Sequence, residues 1–397
     1  MLHWIKKNEL FVGFSDSLIE KFFKFLSISL ILVFFGLNAF SAFAVSGVII
    51  SLFLSLLFIL PESGVLDKEG SQFHKPYAFF IFFLIKLCFG SLLFFLLSYF
   101  TFPNLPFIKE IFFSLALSRL FEQGQSLMSS LFFYAGQGRF SLRFSFFYGL
   151  SKLFSLFFFG WVGSFIFFIY SLPLLSAFFC FSAFIFYKRN NSYEIIPLSH
   201  LIKNPFFFLT PFSLYNHLLG LMNNFLTSAD LLFISFIKPS AAPIYAVALS
   251  FANYAGILPK SLIKNSLFIL AKRKNTSEFQ LYEKINMFFS LLSCIGVGSI
   301  SYLFLSLTLP QAALNETLII FSLLLVAVSL QNIARPHFLH NLLILPIEKL
   351  FFFYHAPLFF LGAALFLVGG FLGALPLALL NILLFSVFYL IYAFLRK

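Results

Sequence analysis

The feature that most limits what this chain can fold into is a recurrence. Apolar runs of about 18–25 residues follow one another from end to end, separated by short polar breaks. At about 1.5 Å per residue, each run is long enough for one helix to cross a bilayer of about 30 Å. The alternating segments of about ten residues that build a membrane β-barrel are absent. With 61% hydrophobic and only 10% charged residues in 397, the chain has too little polar surface for a soluble globule. The class expected is an all-α polytopic membrane protein.

Taken in order, the runs predict about twelve transmembrane helices. Residues 22–38 and 42–60 form the first two, and a polar stretch led by Pro61 and Gly64 follows. The third is 77–100 and the fourth 107–133. The fifth begins near Phe144, turns at 160–164, and the sixth ends at Tyr187. The segment 188–204, KRNNSYEIIPLSHLIKN, is the longest polar stretch near the centre and reads as a cytoplasmic linker between two halves. This organisation gives a six-helix lobe over 1–188, a linker at 189–204 and a second six-helix lobe over 205–397.

The seventh run, 205–237, exceeds the bilayer thickness and is expected to tilt, protrude or break near Asn223–Asn224. The remaining spans are 241–258, 287–307, 317–333, 351–368 and 371–394. Residues 334–349 read as a loop with a short interfacial piece, and Gly369–Gly370 as the last turn. No cleavable leader is evident, because the polar N-terminus runs into a long apolar segment without a small-residue cleavage motif.

Charge sets the orientation. Of the 26 basic residues, only Lys109 and Lys238 fall in loops on the side opposite the termini. Only Lys86, Arg119 and Lys152 fall inside spans. A bias this strong places both termini in the cytoplasm under the positive-inside rule. The net charge of +12 is spread over short loops, so it argues for topology and against nucleic-acid binding.

The fourth span is unusual. Wound at about 100° per residue, its stretch SLALSRLFEQGQSLMSS gathers Ser114, Ser118, Arg119, Glu122, Gln123, Gln125, Ser126, Ser129 and Ser130 on one half of the wheel. Ala116, Leu117, Leu120, Phe121, Gly124, Leu127 and Met128 fill the other. A charge at mid-bilayer costs about 2.5–3.5 kcal/mol on insertion scales, so Arg119 must face helices or water. Two readings stand. Either Arg119 and Glu122 pair within the helix while the serines pack against neighbours, or this face is the wet wall of a cavity.

Lys86 and Lys152 lie eight or nine residues inside their spans, within partial snorkelling reach. With Arg119 they outnumber Glu122, leaving excess positive charge in the first half that suits an anionic group such as a phosphate. The substrate-cavity candidates are therefore Arg119, Glu122, Gln123, Lys86 and Lys152. Asp230 is the main acidic residue of the second half. It reads as a coupling-ion or proton site, or as a helix-end residue facing water, the second being favoured. His217 reads as a packed histidine. Cys88, Cys180 and Cys294 are dispersed and predict neither a disulfide framework nor a metal site. No catalytic motif, cofactor motif or long outward loop is present to support an enzyme.

Several stretches resemble a known family. FAVSGVIISLFLSLLFILPESGV looks like its second span, and GQGRFSLRFSFFYGLSKLFSL like the loop opening its fifth. SADLLFISFIKPSAAPIYAVALSFANYAGILPKSL looks like its Asp-containing seventh span and Tyr-containing eighth. FLVGGFLGALPLALLNILLFSVFYL looks like the entry to its last span. The family is that of the polysaccharide flippases, exporters of O-antigen and lipid-linked oligosaccharides for lipopolysaccharide and related glycans. Its superfamily includes the multidrug and toxin extrusion transporters.

This chain departs from the family pattern at Ala229 and Leu231 beside Asp230, and at Pro243–Ile244 before Tyr245. The resemblance implies two lobes related by a pseudo-two-fold along the membrane normal, rocking to expose a cationic cavity to alternate sides. It implies an undecaprenyl-diphosphate-linked glycan as substrate and the bacterial inner membrane as location. Partners would be the bilayer and other glycan assembly proteins, with no nucleic acid and no cofactor. The rival functions are a multidrug or cation antiporter of the same fold, and a multi-span glycan polymerase or ligase.

Overall fold

The computed structural model is described here over residues 2–57, 76–101, 106–134, 137–190, 211–261 and 276–394. Among the described residues there is no strand. The helices are α1 (Leu2–Leu57), α2 (Pro76–Thr101), α3 (Pro106–Tyr134), α4 (Gly138–Val162), α5 (Phe165–Asn190) and α6 (Pro211–Ile237). They continue with α7 (Ala242–Tyr254), α8 (Thr276–Thr308), α9 (Gln311–Ile344), α10 (Ile347–Leu372) and α11 (Ala374–Phe394). Eight described helices are long and apolar enough to cross a membrane. The first of these, Phe14–Ser55, has 42 residues and is long enough to cross twice. It bends at Gly36, whose φ of 77° favours a residue without a Cβ. The expected first and second spans thus meet at Gly36 rather than at residues 39–41.

Three other boundaries differ from expectation, each for a physical reason, and for the seventh run one of the three expected alternatives falls away. Residues 211–237 form one uninterrupted helix with no break at Asn223–Asn224, since asparagine costs a helix only a fraction of a kcal/mol, about 0.7 at most. Residues 334–344 are helix rather than loop, because α9 runs on through Pro336. Proline has no N–H for the carbonyl four residues back, which here is that of Asn332. The Asn286 side chain donates to that carbonyl at 2.9 Å, so the helix continues with the freed group satisfied. The last turn falls at Gly373 (φ 120°) and not at Gly369–Gly370. The latter two stay helical. At Gly369 a Cβ would come within 2.9 Å of the Leu377 backbone, so the pair serves close packing. Finally, α8 and α9 are separated by only Leu309 and Pro310, where a longer outward loop was expected. The turn expected at 160–164 is found: Gly163 is left-handed (φ 73°) and its N–H caps α4. The polar segments 58–75 and 191–210, including most of the central linker, lie outside the described residues.

The chain divides into two compact units. Unit 1 comprises Met1–Glu20 and Ile49–Leu221; unit 2 comprises Lys21–Val48 and Met222–Lys397. In unit 1, Gly124 sits where α3 meets two neighbours. A Cβ there would lie 2.5 Å from the Phe83 ring and 2.7 Å from Cys180 Sγ, so only glycine admits α2 and α5 this closely. Phe83, Leu127 and Cys180 form the core around it, and Met128, Phe132, Ala183 and Tyr187 a second cluster. In unit 2, Phe225 and Phe233 pack on Phe366, and Phe338 packs on His355, Phe388 and Tyr392. Many large apolar side chains point outward, Trp161 at 86% exposure and Leu174 at 74% among them. In water this would be an aggregation hazard, whereas in a bilayer it is the lipid-facing surface.

Candidate functional site

The polar face of α3 sorts its residues among three sets of partners, all in unit 1. Ser118 Oγ lies 2.9 Å from Ser176 Oγ on α5, and Gln125 Nε2 donates to the Ser176 carbonyl at 2.9 Å. Lower on the same face, the Ser129 hydroxyl donates to Asp16 Oδ2 at 3.2 Å, and Ser141 on α4 does the same at 3.0 Å. These hydroxyls and amides join helices, as expected of small polar residues where water is scarce.

The charged centre adjoins the first of those sets, sharing Ser176 with it through Tyr148. Arg119 donates to Glu122 Oε2 at 2.9 Å, the i,i+3 pair expected from spacing. Glu122 does more than neutralise Arg119. Its Oε1 accepts from Lys152 Nζ at 3.2 Å and from the Tyr148 hydroxyl at 2.8 Å, both on α4. Tyr148 Oη also lies 2.8 Å from Ser176 Oγ, and the Lys152 ammonium lies 5.8 Å from the Tyr148 ring centroid. One carboxylate is therefore shared by two cations, a formal charge of +1 over these three side chains. The exposure is unequal: side chains of Glu122 and Lys152 are 14% exposed, and that of Arg119 is 37%. The guanidinium is the accessible end of the network.

Of the other cavity candidates, Gln123 has a buried Oε1 that takes no hydrogen bond among the described residues. Lys86 is buried and acts electrostatically on His217 of α6, which also bonds the backbone of Ser55. Lys86 and His217 thus sense each other's charge within unit 1, and the packed reading of His217 fits its burial.

Asp230, in unit 2, does not face water. It is buried and holds three donors: the Tyr245 hydroxyl at 2.6 Å, Asn381 Nδ2 at 2.9 Å and its neighbour's backbone N–H at 2.8 Å. Asn381 Nδ2 also lies 3.0 Å from the Tyr245 oxygen, closing a triangle. The expectation of a helix-end carboxylate is corrected because α7 and α11 each place an uncharged donor against it.

With this geometry in hand, three solved structures match nearly the whole chain. "Lipid II flippase MurJ, inward closed conformation" is 14% identical with a TM-score of 0.65, covering 98% of this chain and 87% of that one. "Crystal structure of MATE in complex with MaL6" is 10% identical with a TM-score of 0.64, covering 98% and 95%. "Crystal structure of MATE in the bent conformation" is 13% identical with a TM-score of 0.53, covering 97% and 93%. The fold is theirs. It is an all-α, multi-pass membrane fold of about twelve helices in two six-helix lobes. No family model and no curated protein matches the sequence.

Within this fold, three participants were not expected from the sequence. Tyr148 stands four residues before Lys152, so an i,i+4 reading of α4 would have placed both on one face. Ser176 carries no such signal, because its partners Ser118, Gln125 and Tyr148 are 58, 51 and 28 residues away. Asp16 was read as lying before the first span, yet it is buried and falls inside the apolar helix Phe14–Ser55. Among the described residues, unit 1 therefore carries two buried or half-buried carboxylates, not one, against Lys86, Arg119 and Lys152.

Proposed function

We propose that the protein flips an undecaprenyl-diphosphate-linked oligosaccharide from the cytoplasmic to the outer leaflet of a bacterial inner membrane. It works by alternating access through a cationic cavity to which the Arg119 network contributes. The lobes of this mechanism are 1–188 and 205–397, joined by the cytoplasmic linker 189–204, with both termini cytoplasmic. Lys21–Val48 of the first helix packs in the second compact unit.

The observation that carries the reading is the sharing of Glu122 by Arg119 and Lys152. Lys152 and Tyr148 satisfy the carboxylate without Arg119, so the guanidinium can leave it for a phosphate at little cost. Its fork then binds two phosphate oxygens, a stronger contact than a point charge makes. When the substrate departs, Glu122 recaptures Arg119 and no cation stays bare. The fold match to a protein titled a lipid II flippase supports the substrate class. Deleting the gene tests it: lipid-linked glycan should accumulate on the cytoplasmic side of the membrane. Accumulation on the outer side, or no accumulation, would reject the flippase reading.

A second reading, a multidrug or cation antiporter, is favoured by the Asp230 triangle. A buried carboxyl surrounded only by uncharged donors is able to take up a proton or cation during a transport cycle. In the flippase reading the same group supplies the coupling step.

A further inference from the structure

We propose that unit 2 holds an oxyanion site between Lys260 and Arg335 that takes a phosphate-class dianion. The site goes beyond the flippase reading and is built from α7, α8, α9 and the turn after α7. Lys260 follows α7, where helical residues resume at 257–261. Its side chain folds back over Gly256: a Cβ there would meet Lys260 Cε at 2.8 Å and Asn332 Nδ2 at 3.0 Å, so ammonium stem and amide are neighbours. Arg335 lies three residues beyond Asn332 and four beyond Gln331, on one face of α9. Asn286 ties α8 to the same place through the carbonyl that Pro336 frees.

The charges do not balance. Both cations are half-buried, and Arg335 is close enough to repel Lys260. Among the described residues no carboxylate acts on either cation, and neither makes an ion pair or hydrogen bond. Glu283 of α8 instead pairs with His337 of α9 at 3.2 Å. The amides around the cations are also incomplete. Among the described residues, Gln331 Nε2, Asn332 Oδ1 and Asn286 Oδ1 are buried without a hydrogen-bond partner. Buried polar atoms and like charges left unsatisfied are costly, and a cluster of them marks a place where a ligand completes the set.

The donors define that ligand. A guanidinium fork, an ammonium and a free amide N–H suit a tetrahedral oxyanion, and two cations match two negative charges. The amide oxygens then hold the remaining cation protons. Burial and the neighbouring Arg335 push the Lys260 ammonium down to about 7. The charged group acting on it is Arg335 from α9, which Tyr282 of α8 acts on in turn, and Lys21 of α1 donates to Ser261, the next residue along, at 3.0 Å. The empty site thus loses its second charge as pH rises through neutrality and gains it as pH falls. Dianion binding should take up a proton and strengthen from pH 8 to pH 6.

The same chemistry is offered by a soluble phosphate and by a phosphomonoester lipid headgroup. The test uses full-length protein in the Arg119→Ala background, so that the unit 1 network does not contribute. Calorimetric titration with inorganic phosphate in detergent reads the soluble source. Thermal stability in nanodiscs with and without phosphatidic acid, against pure phosphatidylcholine, reads the lipid source. Sulfate, whose charge is constant over this range, reads the pH dependence. Lys260→Met and Arg335→Met should each weaken binding tenfold or more. Each should also raise the melting temperature of the anion-free protein, because repulsion is relieved. A purely structural cation would lower it instead. Unchanged binding in both variants, or a lowered melting temperature with binding retained, would overturn the site. Where Arg335→Met fails to insert, Arg335→Lys keeps the charge and should lose part of the affinity; full affinity there counts against the fork.

Discussion

Glu122 and Asp230 are two carboxylates in helices of one membrane protein, held in opposite ways. Glu122 is surrounded by charge: Arg119 and Lys152 with Tyr148 beside them. Asp230 is surrounded by neutral donors, the Tyr245 hydroxyl, Asn381 and a backbone N–H. A carboxylate away from water needs either a counter-charge or enough hydrogen bonds, or else it takes up a proton. The first solution fixes a local excess of positive charge and suits an anion. The second leaves no net partner and suits a group whose own charge changes. On the proposed reading, the Glu122 network of unit 1 serves the substrate and the Asp230 triangle of unit 2 serves the coupling step.

The comparison breaks most visibly at Glu122. Glu122→Ala removes the carboxylate that Lys152 and Arg119 share, and losing one member of such a buried pair costs about 3–5 kcal/mol. The expected result is a steep fall in inserted protein and in melting temperature. A fall under about 1 kcal/mol would mean that water already screens the network.

Tyr245→Phe should come next. It removes the 2.6 Å hydroxyl from a carboxylate with no cation to fall back on, a loss of about 1.5–3 kcal/mol for a bond to a charged group. Thermal unfolding in detergent reads it. Asp230→Asn keeps the shape and loses one hydrogen bond of the triangle, so stability should drop by only about 1 kcal/mol. Transport should nonetheless fall to background. Intact transport in Asp230→Asn would make the triangle structural.

Tyr148→Phe is the mildest. Glu122 keeps both cations, so the loss should be about 1 kcal/mol or less, smaller than for Tyr245→Phe. Equal losses for the two tyrosines would erase the distinction between charged and neutral surroundings.

What the sequence made legible follows the range of the interactions involved. The spans were readable because each apolar run answers to one local rule, length against bilayer thickness. The Arg119–Glu122 pair was readable because three residues separate its members. Lys152 was readable as a buried cation but not as the second partner of Glu122, 30 residues away. The Asp230 triangle needs Asn381, 151 residues distant, and no periodicity reports that. Helix ends failed where tertiary contacts repair a local fault. Pro336 reads as a stop, but Asn286 takes up the carbonyl it strands, and the helix continues. Gly369 and Gly370 read as a turn because they lack side chains, and packing uses that same property inside a helix.

The most direct test of the central claim is surface glycan per unit of inserted protein in Arg119→Ala. Lys152 and Tyr148 still hold Glu122 in that variant, so no carboxylate is left bare and abundance should stay normal. If the Arg119 guanidinium receives the diphosphate, export should fall at least tenfold, and Arg119→Lys should restore only part of it, because a point charge replaces a fork. Full export by Arg119→Ala at normal abundance would contradict the account and leave Arg119 as a structural partner of Glu122.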